Sequence, residues 1–410
     1  MKKCRLSDAH GTGRLNAGRS RALILKSLSI LTEYVERESY RGFDPYDALL
    51  SPAASHPVFN RPLMRIVFTQ ILRRLPFNPR PMLGIPPGLN PKGLSLFLSG
   101  YAARPAAAFP DGREARIRLL VRLLHENRSP GYEHPCWGYH FPWQNRNQLY
   151  PSYTPTLVNT GFAGHAHLDA YAATGDPSLL KVAEGSAGFI LESLPRVVDD
   201  ETRLCLGYTP LDRSRIFNSN AIGAAFLARV GSVRNRRDWL HSARRMMNWV
   251  AEHQRPDGSW VYGEAPTQGW IDLHHTAFIL ESLSRYQSSS AGNRAFAPVL
   301  ERGTAYFLRT FFREDGSASL WHDRPFPKDI HAFAAVSALC AVPQNDAVRI
   351  RRRSLIRWLV THMQDPSGYF YYQAHRHYCI RIPYMRWSQA WAFYGLSAGL
   401  AAERSREAGS

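Results

Sequence analysis

Apolar residues recur at three- and four-residue spacing along almost the whole chain. That period predicts helices over about 21–38, 60–75, 91–101, 112–127, 155–174, 177–194, 217–232, 237–254, 272–287, 293–313, 329–343, 346–364 and 386–402. Strand-like stretches are short and fall between helix pairs. A repeat organises the second half of the chain: a helix, a Gly-containing turn, a short aromatic strand, then a polar cluster that opens the next helix. It runs from Gln254 to Tyr262 and on to Trp270 and His275, from Arg313 to Trp321 and on to Lys328 and His331, and from Gln364 to Tyr371 and on to Arg386 and Gln389. A weaker copy, Asp200 to Tyr208, leads to Asn218 and Asn220. The turn glycines Gly258, Gly316 and Gly368 stand 58 and then 52 residues apart. A period above 50 that holds two helices denotes stacked helical hairpins.

The two helices of a pair differ in character. The first has little charged face, as in Ala277–Leu280 and Ala332–Val336, whereas the second is amphipathic and Arg-rich, as in Arg351–Trp358. A helix apolar all round must be buried, and one with a charged face can lie outside. The expected fold is therefore all-α: an α/α toroid of about six helical hairpins, with short β-turn strands between hairpins. An open α-solenoid is the competing arrangement, and the long, polar, unlike loops favour the ring. Residues 21–403 are expected to form a single toroid domain, with 21–75 as an N-terminal arm and first helices. Residues 1–20 and 404–410 are expected to be disordered tails, the first of them basic.

In such a ring every inner helix points its N-terminus to the same end, so the polar clusters converge on one cavity. Free N–H groups and positive dipole ends there favour an anionic or oxygen-rich ligand. The residues at those positions suit a sugar: Tyr153, Asn218, Asn220, Trp270, Asp272, His274, Lys328, Asp329, His331, Arg386, Trp387 and Gln389. The densest aromatic–polar segment, 136–147, brings Trp137, Tyr139, His140, Trp143, Gln144 and Arg146. It reads as a binding wall or as an aromatic plug, and Tyr208 to Asp212 reads in the same way. Asp272 and His275 fall one helical turn apart, so the carboxylate either orients the imidazole as an acid–base pair or simply caps the helix. His165 and His167, two apart on a helix, face different ways. No Gly-rich phosphate loop, GxSxG or HExxH occurs, and neither a metal nor another cofactor is expected.

Composition narrows the partners. The 410 residues carry 51 Lys and Arg against 33 Asp and Glu, a formal net charge of +18, and 45 of the 51 are Arg. Arginine-biased coding is the favoured account of this excess, and an acidic partner, such as a uronic-acid glycan, a phosphorylated carrier or nucleic acid, is the alternative. The basic residues are scattered and no nucleic-acid motif occurs, so nucleic acid is not an expected partner. No run of about 18 apolar residues is present, so no transmembrane segment is expected, and contact with a membrane surface stays open. Five widely spaced cysteines without a CxxC suit reduced thiols in a cytoplasmic protein, and the N-terminus lacks an apolar signal core.

Phe43–Pro52, Asn90–Gly93, Cys136–Arg146, Tyr208–Asp212 and Trp270–Asp272 together resemble bacterial and archaeal proteins of surface-polysaccharide gene clusters, over about residues 33 to 400. Those proteins are similar to the six-hairpin glycosidase and glucuronyl C5-epimerase class of α/α toroids. The resemblance implies a role beside glycosyltransferases in capsule, exopolysaccharide or lipopolysaccharide synthesis, on a glycan either free or lipid-linked.

Three functions then compete. Lyase- or epimerase-type proton abstraction beside a carboxylate needs a cation or amide, a base and often a Tyr acid. Arg146, Arg386, Asn218 and Asn220 could hold the carboxylate, and His275, Asp272, Tyr208 and Tyr262 are the catalytic candidates. A glycoside hydrolase needs two carboxyls about 5 Å or roughly 6.5–9.5 Å apart, from among Asp212, Glu264, Asp272 and Asp329. A non-catalytic glycan-binding or scaffold protein needs neither. Gly258-Ser-Trp260 is similar to the turn repeats of terpenoid cyclases, but the acidic and zinc-binding motifs of that chemistry are missing from the sequence.

Overall fold

A computed structural model describes residues 16–103, 112–146, 148–289 and 294–404. Its α-helices are α1 Ala17–Arg37, α2 Pro62–Arg74, α3 Pro91–Ala102, α4 Arg113–Glu126, α5 Leu157–Thr174, α6 Pro177–Glu192, α7 Phe217–Val233, α8 Arg237–Glu252, α9 Leu273–Ser289, α10 Ala297–Phe311, α11 Ala332–Ala341, α12 Asp346–Met363 and α13 Trp391–Arg404. Each helix read from the spacing is present within a few residues at either end. The largest departure, five residues, lies at the start of α13, and irregular structure precedes each of the last two inner helices. Lys328–Asp329 pairs as a strand ahead of α11, and Met385–Ala390 forms a π-helical turn ahead of α13.

Six helices form the inner ring, α3, α5, α7, α9, α11 and α13, each packed on the next, and α13 closes back on α3. Their side chains are buried almost all round, as in Phe217–Val230 of α7 and Ala332–Leu339 of α11. Close approach needs small residues: an added Cβ on Gly164 of α5 would meet the Phe226 ring of α7 at 2.4 Å. The outer helices α4, α6, α8, α10 and α12 each back the inner helix before them, and α1 backs α13. The sixth hairpin is thus made from the two ends of the chain. The fold is an all-α toroid of six helical hairpins, and α2 lies outside the hairpin count.

The repeated turn sets the spacing of the outer layer. At Asp257, Asp315 and Asp365 a carboxylate oxygen accepts the backbone N–H and the hydroxyl of Ser259, Ser317 and Ser367, two residues on. The adjoining Gly258, Gly316 and Gly368 have φ of +92°, +84° and +107°, a region glycine enters without strain. Each turn presses on a backbone carbonyl of the next outer helix: Arg302 of α10, Ser354 of α12 and Ile30 of α1. Gln254 and Gln364 reinforce two of these contacts. Gln254 donates to Val299 O at 2.9 Å, and Gln364 donates to Ser27 O at 3.0 Å. The third turn therefore docks the N-terminal helix and seals the ring.

Small antiparallel sheets lie between hairpins: β1 (Trp143–Gln144) pairs with β2 (Leu149–Tyr150), and β3 (Arg196–Asp199) with β4 (Leu204–Leu206). β5 (Lys328–Asp329), β6 (Gln373–Ala374) and β7 (Cys379–Ile380) make a third. The tails expected at 1–20 and 404–410 fall mostly outside the described residues, although Ala17–Ser20 already belong to α1 and Arg404 ends α13. The expectation of reduced thiols needs one correction, because Cys379 is disulfide-bonded while Cys136, Cys205 and Cys340 are free. Separation along the chain says nothing about proximity in space. Among the described residues no helix is long and apolar enough to cross a membrane.

Gly368 provides a test of the sealing contact. Gly368→Ala places a Cβ 2.3 Å from Ile30 O at φ +107°, whereas Gly131→Ala, at φ +81°, meets nothing within 4 Å. Both should lose about 1–2 kcal/mol for the left-handed backbone. Urea unfolding is expected to show a clearly larger loss for Gly368→Ala, and equal losses would mean that the turn does not bear on α1.

Candidate active site

The loops that open the inner helices meet at one end of the ring around a cavity of about 610 Å³. Of the residues expected to form the site, sixteen line it: Tyr139, Trp143, Gln144, Arg146, Tyr208, Asp212, Asn218, Tyr262, Trp270, Asp272, His274, His275, Asp329, His331, Arg386 and Trp387.

Asp272 is at the centre. It is buried, and it accepts the His275 backbone N–H at 2.9 Å and the Trp270 indole N–H at 3.1 Å. His275 Nδ1 is 2.6 Å from its Oδ2, so one carboxylate both caps α9 and orients the imidazole. His274 Nδ1 lies 3.2 Å from Oδ1 without a hydrogen bond. The ring centroids of His274 lie 4.2 Å from His275 and 4.8 Å from His331, and His331 packs on Trp387 at 4.1 Å. Tyr262 stacks on Trp270 at 4.5 Å and leans on His275. Burial pushes the Asp272 carboxyl up, but the imidazoles of His274 and His275 outweigh it and hold the group below the usual carboxylate range. Burial pushes the His274 imidazole down to about 3 despite Asp272, and it pushes His331 down as well, with His274 and Lys92 adding to the effect. Both rings are neutral at pH 7. Burial raises the phenols of Tyr208 and Tyr262, which stay protonated as donors.

Asp329 accepts from Gln373 (2.6 Å), the His331 backbone (2.8 Å) and the Trp387 indole (2.9 Å), yet burial still raises its carboxyl above the usual range. Asp212 is committed to its own loop, accepting from the Tyr150 and Thr209 hydroxyls and from the Tyr208 and Ser214 backbone. Arg386 lies over Tyr139 and Trp387, but a buried bidentate pair with Asp44, at 2.5 and 2.7 Å, meets its charge.

Seven expected residues do not line the cavity. Trp137 is core, with its indole N–H donated to Leu124 O, and His140, half-buried, packs its ring against Gly88. Tyr153, at φ +62°, shapes the loop through its backbone bond to Tyr139. Asn220 and Gln389 are braces rather than ligand groups. The Asn220 amide exchanges hydrogen bonds with the Leu206 backbone, and the Gln389 amide does the same with Phe370. Glu264 pairs with Arg215 and His253 on a neighbouring outer groove, and Lys328 is buried over the Phe326 ring.

The cavity also holds groups that sequence reasoning missed. Arg73 of α2 donates to the Tyr372 and Tyr46 hydroxyls, both at 2.9 Å, and among the described residues it meets no carboxylate at ion-pair distance. Lys92 of α3 places its amine 4.6 Å from the Phe162 ring and 4.9 Å from Phe278, and that amine makes no hydrogen bond or ion pair among the described residues. Burial, with Arg386 nearby, lowers its pKa well below the usual lysine range. A lysine inside an otherwise apolar helix was the available signal for it. Trp143 Nε1, Asn218 Oδ1, His274 Nδ1 and His331 Nδ1 are buried without partners, so the wall offers polar atoms to a ligand. Asp272, His274 and His275 have donor atoms within 4.8 Å of one another and could hold a metal ion, although Asp272 and His275 already bond directly at 2.6 Å.

No protein-family model matches the sequence, and no curated protein is similar to it. Solved structures do share the fold. An unsaturated glucuronyl hydrolase specific for heparin aligns with a TM-score of 0.61 at 13% identity, covering 94% of this chain and 98% of its own. The α-mannanase of glycoside hydrolase family 76 from Bacteroides thetaiotaomicron gives 0.59 at 14%, covering 78% and 88%. Cellobiose 2-epimerase from Spirochaeta thermophila gives 0.58 at 13%, covering 78% and 87%. The fold is that of the six-hairpin glycosidase-like α/α toroids. At these identities the likeness establishes the fold alone.

The buried neutral imidazole of His274 leaves a mark on stability. An unfolded histidine protonates near 6.5 and folded His274 only at about 3, so between those values the unfolded chain binds the extra proton. Stability therefore rises with pH through that window. Replacing His274 with Phe should flatten the pH dependence of the unfolding free energy by about 1.4 kcal/mol per pH unit between roughly pH 4 and 6. An unchanged slope would mean that the folded imidazole takes up its proton normally.

Proposed function

We propose that this protein is a carbohydrate-active enzyme that abstracts a proton from a sugar carbon beside a carboxylate, as an epimerase or lyase does, on an acidic glycan of surface-polysaccharide synthesis. The observation that carries the reading is the Asp272–His275 pair at the cavity wall, with the Nδ1 of His275 held by the carboxylate at 2.6 Å. Its other nitrogen is left to take the proton, and Asp272 stabilises the imidazolium that forms. Tyr262, packed on His275, and Tyr208 remain protonated and can return a proton to the substrate. Arg73, which among the described residues has no carboxylate at ion-pair distance, and the Lys92 amine are the groups to receive the substrate carboxylate, whose negative charge grows as the carbon is deprotonated. Structures sharing the fold are described as acting on mannan, cellobiose and unsaturated glucuronyl sugars, which supports a carbohydrate substrate. The acidic sugar and the biosynthetic setting rest on the cavity's cations and on the resemblance of the sequence motifs.

One observation favours hydrolysis instead: Asp329 has the raised carboxyl that a general acid needs. Asp212, by contrast, is consumed by its loop.

Incubation with uronate-containing oligosaccharides in heavy water separates the readings. Deuterium is expected at the carbon bearing the carboxylate, or an unsaturated product is formed. His275→Ala should lower the rate by about 10²–10⁴-fold. New reducing ends without exchange, abolished by Asp329→Asn, would transfer the assignment to hydrolysis. Arg73→Met should raise KM for the acidic glycan about tenfold or more, and KM of the wild type should rise with salt. Equal KM values for acidic and neutral glycans would remove the charge argument.

A further inference from the structure

Helix α2 has two working faces. Ile66, Thr69, Gln70 and Arg73, spaced three and four apart, line the cavity. Leu63, Val67 and Ile71, spaced four apart, form a stripe on another side, and all three are exposed, Leu63 by 63%. Val58, Phe77 and Met82 extend the apolar surface, Met82 with 88% of its surface open. Among the described residues, six of the twelve exposed large hydrophobic side chains fall between Val58 and Met82. A concentration of that kind marks a docking surface rather than scattered surface apolarity.

The charge around the stripe identifies what docks there. Between Asp47 and Asp111 the chain has no acidic residue, and of its six arginines and one lysine Arg80 and Lys92 are buried. Arg61 and Arg74 bracket the stripe at the two ends of α2, are exposed, and meet no acid among the described residues. A helix with an apolar stripe and flanking arginines suits the boundary between headgroups and acyl chains of an anionic bilayer. A second copy of this acid-free surface would bring arginines against arginines. We propose that the outer face of α2, with Val58, Phe77 and Met82, docks on an anionic lipid surface. Docking brings the cavity wall formed by the inner face of α2 to the membrane, where a glycan carried on a lipid would be found. This last step rests on the glycan reading above, whereas the docking itself does not.

The test is co-sedimentation of the full chain with vesicles of phosphatidylcholine alone and of phosphatidylcholine with phosphatidylglycerol. Binding is expected to be about tenfold or more tighter to the anionic vesicles and to weaken with salt. The double variant Val67→Asp/Ile71→Asp should lose vesicle binding about tenfold or more while keeping its Tm. Arg61→Gln/Arg74→Gln should reduce the preference for anionic vesicles without unfolding the protein. Failure of the wild type to bind either vesicle overturns the proposal. So does a dimer in sedimentation equilibrium that Val67→Asp/Ile71→Asp dissociates, since the stripe would then be a self-interface. None of these readings requires turnover, so docking and the catalytic assignment can fail separately.

Discussion

Closure of the ring is the constraint on which everything else depends. Six inner helices that are apolar nearly all round can hide their surface only if each has two inner neighbours and an outer one. For α13 the outer helix is α1, from the opposite end of the chain. The turn at Gly368 therefore has to meet the carbonyl of Ile30, as its counterparts at Gly258 and Gly316 meet the carbonyls of α10 and α12. Once the ring is closed, the inner helices run parallel and their N-terminal loops have no choice but to meet. The cavity is a consequence of the packing solution.

The electrostatics of that cavity follow from exclusion of water. Arg386 is fully buried, and its charge is tolerable because Asp44 in the N-terminal arm meets it with two hydrogen bonds. The same pair ties the arm to the last inner helix and so brings Tyr46 and α2 over the cavity. Asp272 is stabilised as an anion by imidazoles and an indole instead of by a guanidinium, which leaves a carboxylate able to orient a base. Among the described residues neither Arg73 nor Lys92 has a carboxylate at ion-pair distance, and Asp329 and Asp44 act on them only from farther off. A guanidinium and an amine withdrawn from water in this way are costly unless a ligand supplies charge or hydrogen bonds, which is the physical ground of the anionic substrate proposed above.

Helix α2 stands apart from the hairpins and needs its own explanation. In a self-contained ring a thirteenth helix would be expected to show a polar outer face. Its outer face carries the exposed stripe of Leu63, Val67 and Ile71 and its inner face supplies Arg73 to the cavity, the two observations behind the docking proposal.

Much of this was legible along the chain, because helix burial is written as a period. The all-round apolarity of Ala332–Leu339 and the amphipathic Arg351–Trp358 specify inner and outer layers without any distant contact. The Asp-Gly-Ser turns likewise specify their own left-handed glycine. The polar clusters at the helix starts could be placed at one end by the same logic. Which of those side chains face the cavity was not legible. Asn218 and Asn220 are two residues apart, and only the second finds the Leu206 backbone beside it and becomes a brace. Gln389 meets Phe370 in the same way, while Trp387 beside it reaches the cavity. Arg73 and Lys92 look like surface and helix-start cations until distant loops fold over them, and Cys379 gives no sign of its bond. Local periodicity is a property of neighbouring residues, so the sequence determined the helices, their layers and the closed ring. Side-chain partners are chosen in space, from 14 residues away for Asn220 to 342 for Arg386, so only the tertiary structure decided which polar groups hold the walls and which are left facing the cavity.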